Sequence, residues 1–145
     1  MTTFETAWTA TAVDETVRPD DDAAIRRCLL DYFEGWFDGD AERMDRALHP
    51  GPAKHAIGQG PTRADDLDLT TKAEMVEATR QGLGRNRDVP DRAIRIDIAA
   101  VSDTIASAVV HSAVCVEYVL QARTTDGWRI TGTLWRWATG HDPRA

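Results

Sequence analysis

The spacing of apolar residues changes at Pro90, and this change constrains the fold more than any other feature of the sequence. Before Pro90, apolar residues recur at helical spacing. After it, stretches such as RAIRIDIAAVS alternate apolar and charged residues, which is typical of half-buried strands. Three helices followed by four strands in an antiparallel meander predict an α+β domain, in which the helices pack on one face of a curved sheet.

The first predicted helix carries an unusually wide apolar surface. Two adjacent lines of apolar residues cover roughly half of its circumference: Ile25, Cys28, Leu29, Leu30, Tyr32, Phe33, Trp36 and Phe37. A helix of this kind needs two neighbours, which we take to be the sheet and a second helix.

Capping signals predict where the helices begin and end. Gly39 ends the first helix, and Asp40 is the expected N-cap of a short second helix that stops before Pro50. The stretch 50–69 is rich in Gly, Pro and Asp and is predicted to be a loop. A T-x-x-E capping box at Thr71 begins the third helix.

Composition excludes several classes of function. The net charge of −7 argues against nucleic-acid binding, which needs a basic face. No apolar run reaches the roughly 20 residues that span a bilayer, and no secretory signal is expected at the N-terminus. The two cysteines lack C-x-x-C spacing, so we expect reduced core thiols in a cytoplasmic protein. We expect a flexible tail over residues 1–20, one domain over 21–138 and a second tail over 139–145.

Two local patterns and the order of the elements resemble a known superfamily. The patterns are DYFEGWFDGD followed by ALHP early in the chain, and EYVLQARTTDGWRITGTLW late in it. Over residues 22–137 the chain resembles the nuclear transport factor 2-like (NTF2-like) superfamily, and it is similar to the SnoaL-like or lumazine-binding-like branch. The resemblance implies a cystatin-like conical roll with a cavity between helices and sheet, commonly as a homodimer through the sheet. It implies no single activity, because the superfamily includes isomerases, cyclases, dehydratases and proteins without known chemistry.

Several side chains are candidates for proton transfer. Asp97 and Glu117 each lie in the middle of a strand between apolar neighbours, where a half-buried carboxylate suits acid–base work. The alternative is that both point outward and form cross-strand ion pairs, and a β-bulge would reverse either assignment. His55 is a second candidate base near the mouth of the implied cavity, or else a surface residue. Tyr32 or Tyr118 would stabilise a developing oxyanion.

The same reasoning predicts the walls of a pocket. Tyr32 and Trp36 lie one turn apart on the first helix. With Met75 and Tyr118 they are expected to bound one cavity, with His55 near its opening, although an aromatic stripe can also be plain core. No two histidines have the spacing of metal ligands, so no metal is expected. No phosphate loop or dinucleotide fingerprint is present either, so no other cofactor is expected.

The leading functional hypothesis is a cofactor-independent pocket protein. It would act on an apolar cyclic metabolite by proton transfer, as an isomerase, cyclase or dehydratase. The alternatives are a non-catalytic carrier with the same cavity and a dimeric interaction module. A homodimer is predicted through the outward face of the sheet, because exposed tryptophans on a flat sheet are improbable in a monomer. Alternation places four residues on that face: Val109, His111, Trp135 and Trp137.

Overall fold

Three helices and six strands make up the described part of the computed structural model, which comprises residues 19–57, 67–85 and 92–138. The helices are α1 (Pro19–Asp38), α2 (Ala41–Ala47) and α3 (Lys72–Arg80). The strands are β1 (Leu48–Ile57), β2 (Leu67–Thr71), β3 (Arg95–Ser102), β4 (Ile105–His111), β5 (Cys115–Thr124) and β6 (Gly127–Trp137). Both expected tails lie almost wholly outside these residues. No helix in the described ranges is long and apolar enough to cross a membrane.

The helix boundaries confirm the predicted capping signals. Gly39 follows α1 with a φ of 69°, a left-handed conformation that glycine adopts without strain. The side chain of Asp40 accepts a hydrogen bond from the backbone N–H of Arg43 at 3.2 Å and so caps α2. At the start of α3, Thr71 and Glu74 exchange the two hydrogen bonds of a capping box.

The sheet contains two more strands than predicted. Its order is β2-β1-β6-β5-β4-β3, with β1 and β6 parallel and the other neighbours antiparallel. The predicted meander from β3 to β6 is confirmed. The prediction of a loop over 50–69 is wrong where β1 and β2 lie, because these strands are stabilised by pairing with β6 and with each other rather than by a local apolar pattern. The pairing of β1 with β6 is irregular between Leu48 and Ala53, around the two prolines.

A β-bulge in β6 decides which side of the sheet its tryptophans occupy. Two consecutive residues of β5 pair with Gly132 and Ile130, which are two positions apart, so Thr131 is an extra residue. A single extra residue reverses the alternation of the side chains beyond it. Trp135 and Trp137 therefore line the inner side of the sheet. The prediction that they lie on the outer face is wrong.

The inner face of the sheet packs against α1. The most deeply buried side chains come from both elements and interlock between them: Ile25, Leu29 and Tyr32 from the helix, and Val110, Val119 and Ile130 from the strands. This packing fixes the rotation of α1, so that the stripe with Tyr32 faces β5.

Part of the outer face of the sheet is apolar and open. It carries several exposed large side chains: Leu69, Ile105, Tyr118, Leu120 and Leu134. Together with Val109 and small residues, part of this set borders a shallow groove of about 490 Å³. We call this surface the outer groove.

Candidate functional site

A cavity of about 300 Å³ lies between the helices and the inner face of the sheet. This volume is at the lower end of the range found for ligand pockets. Most of its wall is aromatic or apolar: Phe33, Trp36, Phe37, Met75, Trp135 and Trp137. A wall of this kind suits a planar, mainly apolar molecule.

Three polar side chains meet at one place on the cavity wall. Glu117, which is 1% exposed, accepts a hydrogen bond on Oε2 from the phenol of Tyr32 at 3.0 Å. The ammonium group of Lys54 donates a hydrogen bond to the Tyr32 hydroxyl, and its Nζ lies 3.8 Å from the same Oε2. A buried carboxylate persists only when such partners offset its loss of hydration. We call these three residues the polar cluster.

Each member of the polar cluster is positioned by a different element. Alternation along β5 turns Glu117 inward together with Cys115 and Val119, which are also buried. Tyr32 comes from the apolar stripe of α1. Lys54 comes from β1, where it lies opposite Thr133 of the bulged strand β6. The cluster therefore depends on the parallel pairing of β1 with β6.

The electrostatics of the cluster assign a role to each donor. Burial, and then the neighbouring Glu117 carboxylate, raise the pKa of the Tyr32 phenol well above its usual range. The phenol is therefore protonated at neutral pH, and its one proton is directed to Glu117. Lys54 has further N–H groups, and its Nζ also lies 5.0 Å and 5.3 Å from the ring centroids of Tyr32 and Trp135. Both contacts with Glu117 fall on Oε2, which leaves Oε1 uncommitted to them.

The structure brings together four of the seven residues that the sequence singled out. Tyr32, Trp36, Met75 and Glu117 all line the cavity. The prediction that Tyr118 bounds the same cavity is wrong, because its side chain is 60% exposed on the outer face. Consecutive residues of a strand point to opposite sides, so the inward turn of Glu117 excludes Tyr118.

Asp97 and His55 do not join the described cluster. The carboxylate of Asp97 is 54% exposed and lies 3.3 Å from Arg95 and 3.6 Å from His111, outside the cavity. Asp97 therefore points outward and forms ion pairs, as the alternative interpretation of the sequence had it. The prediction that Asp97 is a base in the cavity is wrong. The backbone of His55 pairs with Leu69 and Leu134 in the sheet, but its side chain is outside the described part of the chain.

The sequence analysis missed Lys54, Trp135 and Trp137. Lys54 lies in a stretch without alternating apolar residues, and its strand is defined only by pairing with β6. For the tryptophans a signal was present, since an isolated glycine within a strand pattern, here Gly132, indicates a bulge. Among the described side chains, no group of three His, Cys, Asp or Glu lies close enough to hold a metal ion.

Solved structures with the same fold share little sequence with this chain. An NTF2-like protein of unknown function from Silicibacter pomeroyi DSS-3 superposes with a TM-score of 0.69 at 13% identity, covering 85% of this chain and 100% of that one. A similar protein from Shewanella baltica OS155 gives 0.63 at 16% identity, with coverages of 83% and 95%. A ketosteroid isomerase-like protein from Erwinia carotovora atroseptica gives 0.60 at 14% identity, with coverages of 84% and 99%.

These similarities show that the fold is NTF2-like, or cystatin-like, as the sequence predicted. No curated protein matches the chain significantly. A family model described as "Putative lumazine-binding" matches residues 20–136, which include α1 and nearly all of the sheet. Because this match covers most of the sequence, the chain belongs to that family.

Proposed function

We propose that the protein binds a planar, mainly apolar small molecule in the inner cavity and transfers a proton on it, with Glu117 as the general base. One observation carries the proposal: a buried carboxylate opens on an aromatic cavity and is held by a phenol and an ammonium group. A few convergent polar groups on a mainly apolar cavity wall are typical of ligand-binding and active sites. The family description and the name of the Erwinia neighbour agree with a small-molecule function of this type.

The reaction class follows from the chemistry of the cluster. Glu117 Oε1 takes a proton from a carbon next to a carbonyl group, and the C–H electron pair moves onto the carbonyl oxygen as an enolate. Lys54 supplies a fixed positive charge for that oxyanion. Return of the proton at another carbon of a conjugated enolate gives an isomer. Alternatively, the enolate breaks the C–O bond of a hydroxyl group on the β-carbon, and this group takes the proton from Glu117 and leaves as water, which gives a dehydrated product. Neither route requires a cofactor.

The three residues divide the work in this proposal. Glu117 moves the proton and Lys54 stabilises the oxyanion. Tyr32 positions the carboxylate of Glu117 by donating its one phenol proton to it, so the phenol cannot donate to the ligand at the same time. Trp36 and Met75 are proposed to contact the substrate. A non-catalytic carrier would use the same walls without proton transfer, so the two functions differ only in what Glu117 does.

We also propose a homodimer through the outer groove. The exposed side chains of Tyr118, Leu120 and Leu134 lie on neighbouring strands and form a continuous apolar surface. Apolar patches of this kind are uncommon on monomers and typical of interfaces. In this proposal Tyr118 therefore belongs to the subunit interface and not to the ligand site.

A cytoplasmic location is proposed on the basis of the thiols. Burial raises the pKa of Cys28 to about 11, so this thiol is protonated and unreactive at neutral pH. Cys115 is buried as well. Reduced thiols in a small domain are typical of a reducing compartment.

The base can be tested with nitrobenzisoxazole, a planar aromatic compound that reports on carboxylate bases in apolar sites. Removal of its ring C–H proton forms a nitrile, breaks the N–O bond and releases a coloured nitrophenolate. We expect the wild-type protein to accelerate this elimination, and Glu117→Gln to lower the rate by about 100-fold, the contribution usual for a general base.

Asp97→Asn is the matched control, because it also removes one carboxylate from a strand of the same sheet but outside the cavity. It should leave the rate unchanged. Equal rates for the wild type and Glu117→Gln would overturn the role of Glu117. Tight binding of the probe without any acceleration would favour the carrier.

A further inference from the structure

Gly84 makes the closest backbone approach in the turn that follows α3. A Cβ atom at this position would lie 2.3 Å from the carbonyl oxygen of Trp36, and 2.6 Å and 2.7 Å from its ring atoms Nε1 and Cδ1. Real Cβ atoms essentially never come so close to other heavy atoms. Gly84 has no positive φ, unlike Gly39 and Gly82, so the requirement for glycine here comes from contact rather than from backbone conformation.

The turn cannot easily move away from Trp36. Its backbone is tied to α3 by hydrogen bonds from Gly82 N to Thr79 O at 2.9 Å and from Leu83 N to Ala78 O at 3.2 Å. The residue that ends α1 is close to α3 as well, since a Cβ at Gly39 would meet Thr79 O at 3.6 Å. The turn therefore forms a fixed support behind the indole.

The opposite side of the indole borders open volume. Trp36 is only partly buried, and it lines the cavity together with Tyr32, one turn earlier on α1. A Cβ at Gly84 would meet the α1 backbone at the Trp36 carbonyl oxygen as well as the indole. Of these two groups only the indole borders the open volume of the cavity, so we expect the indole to shift into it. In a cavity of about 300 Å³, a shift of one aromatic wall removes a large share of the available space.

We propose that Gly84 sets the size of ligand that the cavity accepts, by fixing the indole of Trp36 from behind. Gly84 is a positioning residue in this inference, and Trp36 is the wall that it positions. The inference rests on the proposed ligand cavity but not on proton transfer by Glu117.

Selectivity between two probes tests the inference. Naphthol is a two-ring probe, and anilinonaphthalene sulfonate is a larger three-ring probe. We expect Gly84→Ala to raise the ratio of the two dissociation constants, larger probe over smaller, by about tenfold, because the shifted indole removes space that the larger probe needs and the smaller one does not. Gly51→Ala is the control, since among the described residues a Cβ there comes within 4 Å of His49 Nδ1 alone, at 3.8 Å, and it should leave the ratio unchanged.

Further variants separate size selection from general damage. In a Trp36→Ala background, Gly84→Ala should no longer change the ratio, because the displaced wall is gone. Equal weakening of both probes by Gly84→Ala, or the same shift of the ratio without the indole, would overturn the inference. If Gly84→Ala does not fold, Trp36→Phe should lower the ratio, and an unchanged ratio would contradict the role of this wall. Failure of wild type to bind either probe would instead overturn the ligand cavity itself.

Discussion

The carboxylate of Glu117 is the side chain that most clearly separates this cavity from an ordinary core. Burying an ion costs several kcal/mol, and replacing a buried ion pair with apolar side chains is often neutral or stabilising. A chain selected for stability alone therefore has little reason to place Glu117 and Lys54 beside tryptophans. Their position on a cavity wall favours a role in binding or chemistry.

Asp31 is a buried carboxylate whose burial, unlike that of Glu117, is explained by its contacts with a neighbouring helix. It is buried on α1 and accepts hydrogen bonds from Arg43 at 3.0 Å and from Arg46 at 3.1 Å on α2. Burial alone would raise the pKa of this carboxyl, but the hydrogen bonds and charges of Arg46 and Arg43 outweigh it and lower the pKa below its usual value.

We expect Asp31→Asn to lower the free energy of unfolding by about 2 kcal/mol at neutral pH, since it weakens hydrogen bonds to a charged group. A lowered folded-state pKa gives stabilisation that is present above the unfolded-state pKa of about 3.9. It is lost as pH falls through the folded-state value. Urea denaturation should thus show a large difference from wild type at neutral pH and a small one in strong acid.

The control for this prediction is Asp38→Asn, the same substitution on the same helix. Asp38 forms an exposed ion pair with Arg92 at 2.9 Å, and exposed pairs contribute little. A difference between Asp31→Asn and wild type that does not change with pH would contradict the assigned ion pairs.

At the scale of elements, sequence information was sufficient wherever local signals define the structure. Gly39, Asp40 and Thr71 placed the helix boundaries because capping is determined within a few residues. The apolar stripe of α1 identified Tyr32 and Trp36 as facing the sheet. The turn at Asp126-Gly127 follows from the same kind of local signal, and Gly127 has a φ of 106°.

Elements that depend on distant pairing could not be predicted in this way. β1 pairs in parallel with β6, whose residues come more than seventy positions later in the chain. The stretch around Lys54 contains no alternating pattern that would indicate this pairing. Lys54 was therefore missed although its side chain completes the polar cluster.

The side of the sheet that a residue occupies depends on bulges as well as on alternation. β5 has no extra residue, so its side chains alternate without interruption, and Glu117 faces inward while Tyr118 faces outward. β6 has Thr131, and this residue moves Trp135 and Trp137 into the cavity. Alternation alone left both questions open, because it fixes which residues share a face but not which face is buried.

The described part of the chain has an apolar concavity on each side of the sheet, and we propose different partners for the two. The inner cavity contains the polar cluster and is the proposed ligand site, whereas the outer groove is lined mainly by apolar side chains and has no described cluster of this kind. The proposed interface between copies of the chain would cover the exposed Tyr118, Leu120 and Leu134.

Light scattering tests this assignment of the outer groove. We expect the wild type to have the mass of a dimer at micromolar concentration, and Tyr118→Arg to be a monomer, because a charge at the centre of an apolar interface is costly to bury. Thr125→Arg, which adds the same positive charge in the exposed turn between β5 and β6, should remain dimeric. A wild-type protein with the mass of a monomer would contradict the proposed interface.

The central claim is that the inner cavity, not the outer groove, is the ligand site, and the indole N–H signals of the tryptophans test it most directly. Trp36, Trp135 and Trp137 line the cavity, whereas Trp128, at the start of β6, is buried elsewhere and its indole N–H donates to Asp21 at 3.3 Å. In an NMR titration with naphthol, we expect the signals of Trp36, Trp135 and Trp137 to shift while that of Trp128 stays in place. Unchanged cavity signals, with shifts confined to the backbone amides around Tyr118, would contradict the account.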